Sequence, residues 1–290
     1  KVAVIGAGPM GRGIAGQAAN AGCEVVLLDK VEGAAEKAVE TMKQARLPGD
    51  VFAAGLMDPA NARYITTGTI DDDMTAIGDA DLVIEAVTEN LDIKKTLYQQ
   101  IDAHAPAHAR ITSNTSTFQI EQLTADMPLG LKARFMNTHF FNPPRFMHLL
   151  EMIDGPETSQ DEFASVRHFA DHELGKKVIH CKDTPGFIAN RIGIYAMERV
   201  RYEAGRRKVA IEDIDSVFGQ PFGFPNTGMF KLGDTVGLDI VQAVGHNLHN
   251  LLDSDDEFHR FYEPALLDAM IEDGYTGDKD NSNGGFYRLK

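Results

Sequence analysis

The chain has 290 residues, with 28 Lys plus Arg against 43 Asp plus Glu and a formal net charge of −15. Hydrophobic residues make up 43% and charged residues 24%, a globular balance that excludes a disordered, collagen-like or disulfide-scaffold chain and suggests about two domains. The acidic excess argues against a general affinity for nucleic acid or anionic lipid. Cys23 and Cys181 make neither a disulfide framework nor a zinc set, which fits a reducing, cytoplasmic setting. No apolar run reaches the roughly 18–20 residues of a membrane span. Gly6, Gly8, Pro9, Gly11, Arg12 and Gly13 break the stretch that resembles a leader peptide. The abrupt start at Lys1 and the abrupt end read as a piece of something longer.

In chain order, residues 2–5 form a short β-branched run, followed by a glycine turn and apolar residues at helical spacing through Ala21. Gly22 stops that helix, and residues 24–28 read as a second strand ending at Asp29. A helix is expected over 31–46, a strand over 64–67, and a short helix over 71–76 with three acids at its N-terminus. Strands over 82–87 and 111–113 flank a helix over 91–104. Two further strands, 133–141 and 148–153, flank Asn142-Pro143-Pro144-Arg145. A helix over 160–174 and a strand over 177–181 follow. After Asp183 the strand signal disappears, and 187–206, 211–219, 237–252 and 263–273 read as helices. The expected architecture is α/β: a doubly wound, mostly parallel Rossmann-type sheet over 1–183, then an all-helical domain over 184–290.

Gly6-x-Gly8-x-x-Gly11 is weak alone, but here it follows a strand, opens a helix and precedes an acid ending the next strand. Glycines in that position let the turn pack tightly and let backbone N–H groups approach a pyrophosphate at the helix N-terminus. Gly6, Ala7, Gly8, Pro9, Met10 and Gly11 are therefore expected at the cofactor. Asp29 stands where a carboxylate accepts from an adenosine ribose and repels a 2′-phosphate, which favours NAD over NADP. FAD uses the same fingerprint.

His139 ends a strand twelve residues before Glu151, with the Pro-rich turn between. A histidine whose second nitrogen is held by a carboxylate has its tautomer fixed and suits general-base work. Spacing alone reads equally as a satisfied core histidine. His168 and His172 share a helix face at zinc-ligand spacing, but with no third ligand in view they read as incidental and no metal is expected.

The set Gly6-x-Gly8-x-Met10-Gly11-x-Gly13-Ile14-Ala15, Glu85-Ala86-Val87-x-Glu89-Asn90, Ser113-Asn114-Thr115-Ser116, His139-Phe140-Phe141-Asn142-Pro143-Pro144, Asp183-Thr184-Pro185-Gly186-Phe187-Ile188-x-Asn190-Arg191, Val236-Gly237-Leu238-Asp239 and Gly285-Phe286-Tyr287 covers nearly the whole chain. It resembles the L-3-hydroxyacyl-CoA dehydrogenases of fatty-acid β-oxidation, most closely the dehydrogenase part of bifunctional bacterial proteins that also carry an enoyl-CoA hydratase domain. The resemblance implies NAD-dependent oxidation of an acyl-CoA substrate, with His139 as base and Glu151 orienting it. It implies that Ser116 and Asn190 hydrogen-bond the substrate oxygen. It also implies that Glu89, Lys94, Asn114 and Asn142 contact the cofactor. Plainer readings make Lys94 a solvated helix lysine and Ser116 a helix N-cap. The partners implied are a second copy of the chain or a fused hydratase domain.

Two departures stand out. Asn281-Ser282-Asn283-Gly284 replaces the family's closing Lys-containing motif, so Lys279 is the available substitute. The turn Gly223-Phe224-Pro225-Asn226-Thr227-Gly228-Met229 departs from the family's Gly-aromatic-Pro-Met-Gly-Pro. Contacts to the CoA phosphates are expected near residues 43–63. Phe218, Phe222 and Phe224 read as interdomain core, and helices 187–206 and 237–252 as a self-association face. Alternatives are a dehydrogenase of a free hydroxy acid, of the gulonate or carnitine type, and a non-catalytic dinucleotide-binding scaffold.

Overall fold

A computed structural model describes residues 1–44, 55–224, 226–279 and 281–287. The end of the helix expected over 31–46, and much of the segment expected to meet CoA phosphates, lie outside the described residues. The chain divides into two compact units, Lys1–Thr184 and Pro185–Lys290.

The first unit is built on one eight-stranded sheet. Its strands are β1 (Val2–Ile5), β2 (Val25–Asp29), β3 (Ile65–Thr69), β4 (Leu82–Glu85), β5 (Arg110–Ser113), β6 (Phe135–Phe140), β7 (Leu149–Asp154) and β8 (Lys177–His180), in spatial order β3-β2-β1-β4-β5-β6-β7-β8. Every pairing is parallel except β6 with β7, a hairpin that places His139 directly opposite Glu151. The order reverses beside β1, the switch point where open α/β sheets take ligands. Helices α1 (Pro9–Asn20), α2 (Ala34–Lys43), α3 (Ile70–Asp73), α4 (Leu91–His104), α5 (Ile120–Thr124), α6 (Leu129–Lys132) and α7 (Gln160–His172) complete it. Val2, Ala3, Val4 and Ile5 are all buried, as a strand covered on both faces requires. At ~1.5–3 kcal/mol per buried Val or Ile, this strand anchors the turn that follows it.

The second unit contains α8 (Ala189–Arg207), α9 (Ile211–Val217), α10 (Met229–Val236), α11 (Leu238–Leu251) and α12 (Ala265–Glu272). Ile194, Leu238, Val241, Leu248, Phe258 and Phe261 form its core. Helix α10 is absent from the sequence reading, because Gly233 and a glycine-rich approach mask its period. Asp215 fixes its start by accepting from the amides of Met229, Phe230 and Lys231 at 2.7–2.9 Å. Helix α2 begins three residues later than expected, since Gly33 takes a left-handed turn at φ 76°. Phe222 is 62% exposed and stacks on Phe218, so it is not the core residue expected of it. No helix among the described residues is long and apolar enough to cross a membrane.

Candidate active site

Strand β1 delivers the chain into the glycine turn, where Gly6 N–H bonds Leu28 O at 2.7 Å and Pro9 opens α1. A Cβ on Gly11 would lie 1.7 Å from Gly6 O, so strand and helix meet at a distance only glycine allows. A Cβ on Gly8 would meet nothing within 4 Å. Protein packing therefore does not require glycine there, and the open side is where a ligand's backbone can approach. The tight Gly6–Gly11 contact and the open side of Gly8 fit a pyrophosphate at the first turn of α1, whose leading amides have no intrahelical acceptor. A cavity of about 680 Å³ adjoins the turn, lined by Gly6, Gly8, Asp29, Val31, Ala86 and Ile93.

Asp29 ends β2 at this cavity. Its Oδ2 accepts from Ala7 N–H at 2.6 Å and its Oδ1 from Val31 N–H at 2.9 Å. The carboxylate is thus held rigidly beside the turn. Lys30, the neighbouring cation, pairs at the surface with Asp71 at 3.3 Å. These residues fit the adenosine half of a nicotinamide dinucleotide.

Three strands along the same sheet from β1, His139 Nδ1 lies 2.8 Å from Glu151 Oε2. His139 is 6% exposed and Glu151 1%. Donation of Nδ1–H to the carboxylate places the neutral ring's lone pair on Nε2, the atom able to accept a proton. Phe141 packs its ring against the imidazole at 4.6 Å between centroids. Burial and the Glu151 charge push the Cys181 thiol up to about 12. That thiol stays protonated beside the carboxylate.

The connection from β6 to β7 carries Asn142, which is exposed. Gly13 lets α1 approach this connection, since a Cβ there would meet Pro144 Cδ at 2.7 Å. Lys176 holds it from within: its ammonium donates to the carbonyls of Pro144 and Met147 and sits 5.9 Å from the Phe140 ring. Lys176 is 3% exposed, and burial lowers its pKa to about 8. Sequence reasoning passed over Lys176. Its signal was faint, a lysine between Gly175 and Lys177 at the start of β8.

Strand β5 ends at Ser113 and releases Asn114, Thr115 and Ser116. Asn114 Oδ1 accepts from Phe140 N–H at 2.9 Å, which ties this loop to the residue beside His139. Glu89 Oε1 accepts from Ser116 N–H at 3.2 Å and from the Thr115 hydroxyl. Ser116 is not a helix N-cap, because α5 starts later and Gln119 caps it. Lys94 is not a solvated lysine. It is 1% exposed and its ammonium bonds Glu85 at 2.7 Å and Glu89 at 3.2 Å. The first unit therefore brings together the turn and Asp29, and ties His139, Glu151, Asn114, Ser116, Glu89 and Lys94 into one hydrogen-bonded neighbourhood at β4–β7.

Asn190 belongs to the second unit, half-buried in the first turn of α8. Lys279 pairs with Asp239 there. The closing Phe286 and Tyr287 are anchored by their amides to the two oxygens of Asp234 at 2.8 and 2.9 Å. A Cβ on Gly285 would collide with that carboxylate, which accounts for the glycine. Among the described residues no group of three or more His, Cys, Asp or Glu could hold a metal ion.

Residues 1–184 match the 3-hydroxyacyl-CoA dehydrogenase NAD binding domain, and residues 186–289 the C-terminal domain of the same family. The human mitochondrial hydroxyacyl-coenzyme A dehydrogenase is 36% identical over 298 residues, covering 100% of this chain and 91% of its own. Two relatives, from Rickettsia prowazekii and Rickettsia felis, are 38% and 40% identical, with names that describe a fatty acid oxidation complex trifunctional enzyme. The chain spans 40% of the length of each of these two. Among solved structures, (S)-3-hydroxybutyryl-CoA dehydrogenase from Ralstonia eutropha superposes with a TM-score of 0.83 at 32% identity, covering 100% of this chain and 98% of that one.

Proposed function

Because the chain belongs to the 3-hydroxyacyl-CoA dehydrogenase family, we propose that it oxidises the 3-hydroxyl of an L-3-hydroxyacyl-CoA to the 3-oxo thioester, with NAD, in fatty-acid β-oxidation. The observation that carries this reading is the buried His139–Glu151 pair, on the same sheet as a glycine turn and an Asp29 that fit a dinucleotide. When bound, NAD supplies the hydride acceptor for C3. His139 Nε2 takes the hydroxyl proton as the C3–H bond breaks, and the carbonyl forms. Glu151 holds Nδ1–H throughout and stabilises the imidazolium that results. In the reverse direction the imidazolium returns the proton to the 3-oxo oxygen.

Ser116 and Asn190 are assigned to the substrate oxygen. The glycine turn and Asp29 are assigned to the adenosine and pyrophosphate. Glu89, Lys94, Asn114 and Asn142 are assigned to the remainder of the cofactor, with Lys94 acting from behind Glu89. The helical unit is assigned to the acyl-CoA and to self-association, supported by exposed Ile192, Ile240 and Val217 on its helices. A cytoplasmic setting, and further activities elsewhere in a longer chain, complete the reading. It is tested by following NADH absorbance with acetoacetyl-CoA and with free acetoacetate. Turnover of the thioester alone is expected. Preference for the free acid would instead favour the gulonate or carnitine type of reaction, and NADH binding without turnover of either would favour a scaffold.

A further inference from the structure

Glu85 closes β4 after three buried apolar residues, Leu82, Val83 and Ile84, and is itself 0% exposed. Packing does not call for a charge at that point, since apolar residues of similar volume commonly hold buried ion-pair sites at equal or greater stability. The carboxylate is instead fully used. Its Oε1 accepts from Val87 N–H at 2.8 Å and Lys94 Nζ at 2.7 Å. Its Oε2 accepts from the Tyr98 hydroxyl at 2.6 Å and the Ser113 hydroxyl at 2.7 Å. Four bonds match the four acceptor sites of a carboxylate. Burial and the neighbouring Glu85 raise the Tyr98 phenol well above its usual range, so it remains a donor.

Two routes lead from this hub to one loop. Through Oε2, the Ser113 hydroxyl is fixed, and its oxygen accepts from Thr115 N–H at 3.2 Å. Through Oε1, Lys94 is fixed and reaches Glu89 at 3.2 Å, which in turn accepts from the Ser116 amide. The backbone adds a third tie, Asn114 N–H to Glu85 O at 2.8 Å. We propose that Glu85 is a positioning residue for the dehydrogenase reaction, holding residues 114–116, and with them the Ser116 hydroxyl, through Ser113 on one side and through Lys94 and Glu89 on the other. The proposal rests on the reading of Ser116 given above. It makes Lys94 part of the same brace.

The test uses Glu85→Gln, Ser116→Ala and the double variant, with steady-state kinetics and amide hydrogen exchange of the ligand-free protein. Small misplacements of a reacting contact cost up to about 10²-fold in rate. Glu85→Gln is expected to lower kcat about tenfold or more while KM for acetoacetyl-CoA moves less than about threefold. Added to Ser116→Ala, it should change kcat less than about twofold further, because both act on one contact. Exchange at residues 114–118 should quicken, with the helical unit unchanged. Fully multiplicative losses, or normal exchange at 114–118, overturn the proposal. If Glu85→Gln does not fold, Ser113→Ala severs one route and carries the same expectations. Wild-type kcat in Ser116→Ala refutes the role of Ser116, whereas normal exchange at 114–118 refutes the brace itself, so the two failures are told apart.

Discussion

Replacing Glu151 by Gln removes a charge while keeping the shape of the site. The amide oxygen can still accept Nδ1–H from His139, now 2.8 Å from the carboxylate, so the imidazole keeps its tautomer. What is lost is the counter-charge to the imidazolium that the proposed alcohol oxidation would form. The pair is buried, with side-chain exposures of 8% and 1%, so water supplies little compensation. A hydrogen bond to a charged group contributes about 1.5–3 kcal/mol. At about 1.36 kcal/mol per tenfold, kcat should fall by roughly 10- to 150-fold, with NADH binding unchanged. Added to His139→Gln, the substitution should cost almost nothing further, since the two residues act as one unit. Initial rates of NADH formation from 3-hydroxybutyryl-CoA and NAD, and fluorescence titration of NADH, measure both quantities. A kcat within twofold of wild type, or independent losses in the double variant, would refute the reasoning. The same substitution should make the Cys181 thiol easier to alkylate at alkaline pH, because one of the causes holding it near 12 is removed; mass spectrometry separates it from Cys23.

Asp29→Ala should weaken NADH binding about tenfold, the loss of a charged acceptor, and narrow the gap to NADPH; equal loss for both dinucleotides would contradict the ribose assignment. Lys176 carries a stability signature. Its folded pKa of about 8 lies below the ordinary 10.5, so the unfolded chain binds the extra proton between those values. Stability should therefore rise with pH across that window by up to ~3 kcal/mol from this residue. Urea unfolding of wild type against Lys176→Met, from pH 7 to 10, should show wild type gaining relative to the variant, and parallel profiles would refute it. Self-association of the helical unit predicts a dimer by sedimentation at tens of micromolar, weakened by Ile192→Asp; a monomer under those conditions removes it.

The strands were legible because most are short, apolar and bounded by turn residues, and the parallel core followed from the helices read between the early strands; α5 and α6, between β5 and β6, are too short to show a helical period. The hairpin of β6 and β7 was legible from Pro143 and Pro144, which admit no helix between His139 and Glu151. Helix α10 was not, because its N-terminus depends on Asp215, fourteen residues before Met229, and no local pattern records that bond. The same limit hid the inner layer of the site. A lysine on an exposed-looking helix is buried against Glu85, which ends the preceding strand β4. An acid ending the apolar run Leu82-Val83-Ile84 was the available signal. Glycines told more than charges did, since Gly11, Gly13 and Gly285 each mark a place where backbone or side chain comes too close for a Cβ.

The most direct measurement is NADH consumption with acetoacetyl-CoA by the wild-type protein and His139→Gln, with NADH affinity determined on the same samples. The account predicts wild-type turnover, a loss of about 10²–10⁴-fold in kcat on substitution, and matching NADH dissociation constants. Equal turnover by the two proteins, or loss of NADH binding together with activity, would contradict it.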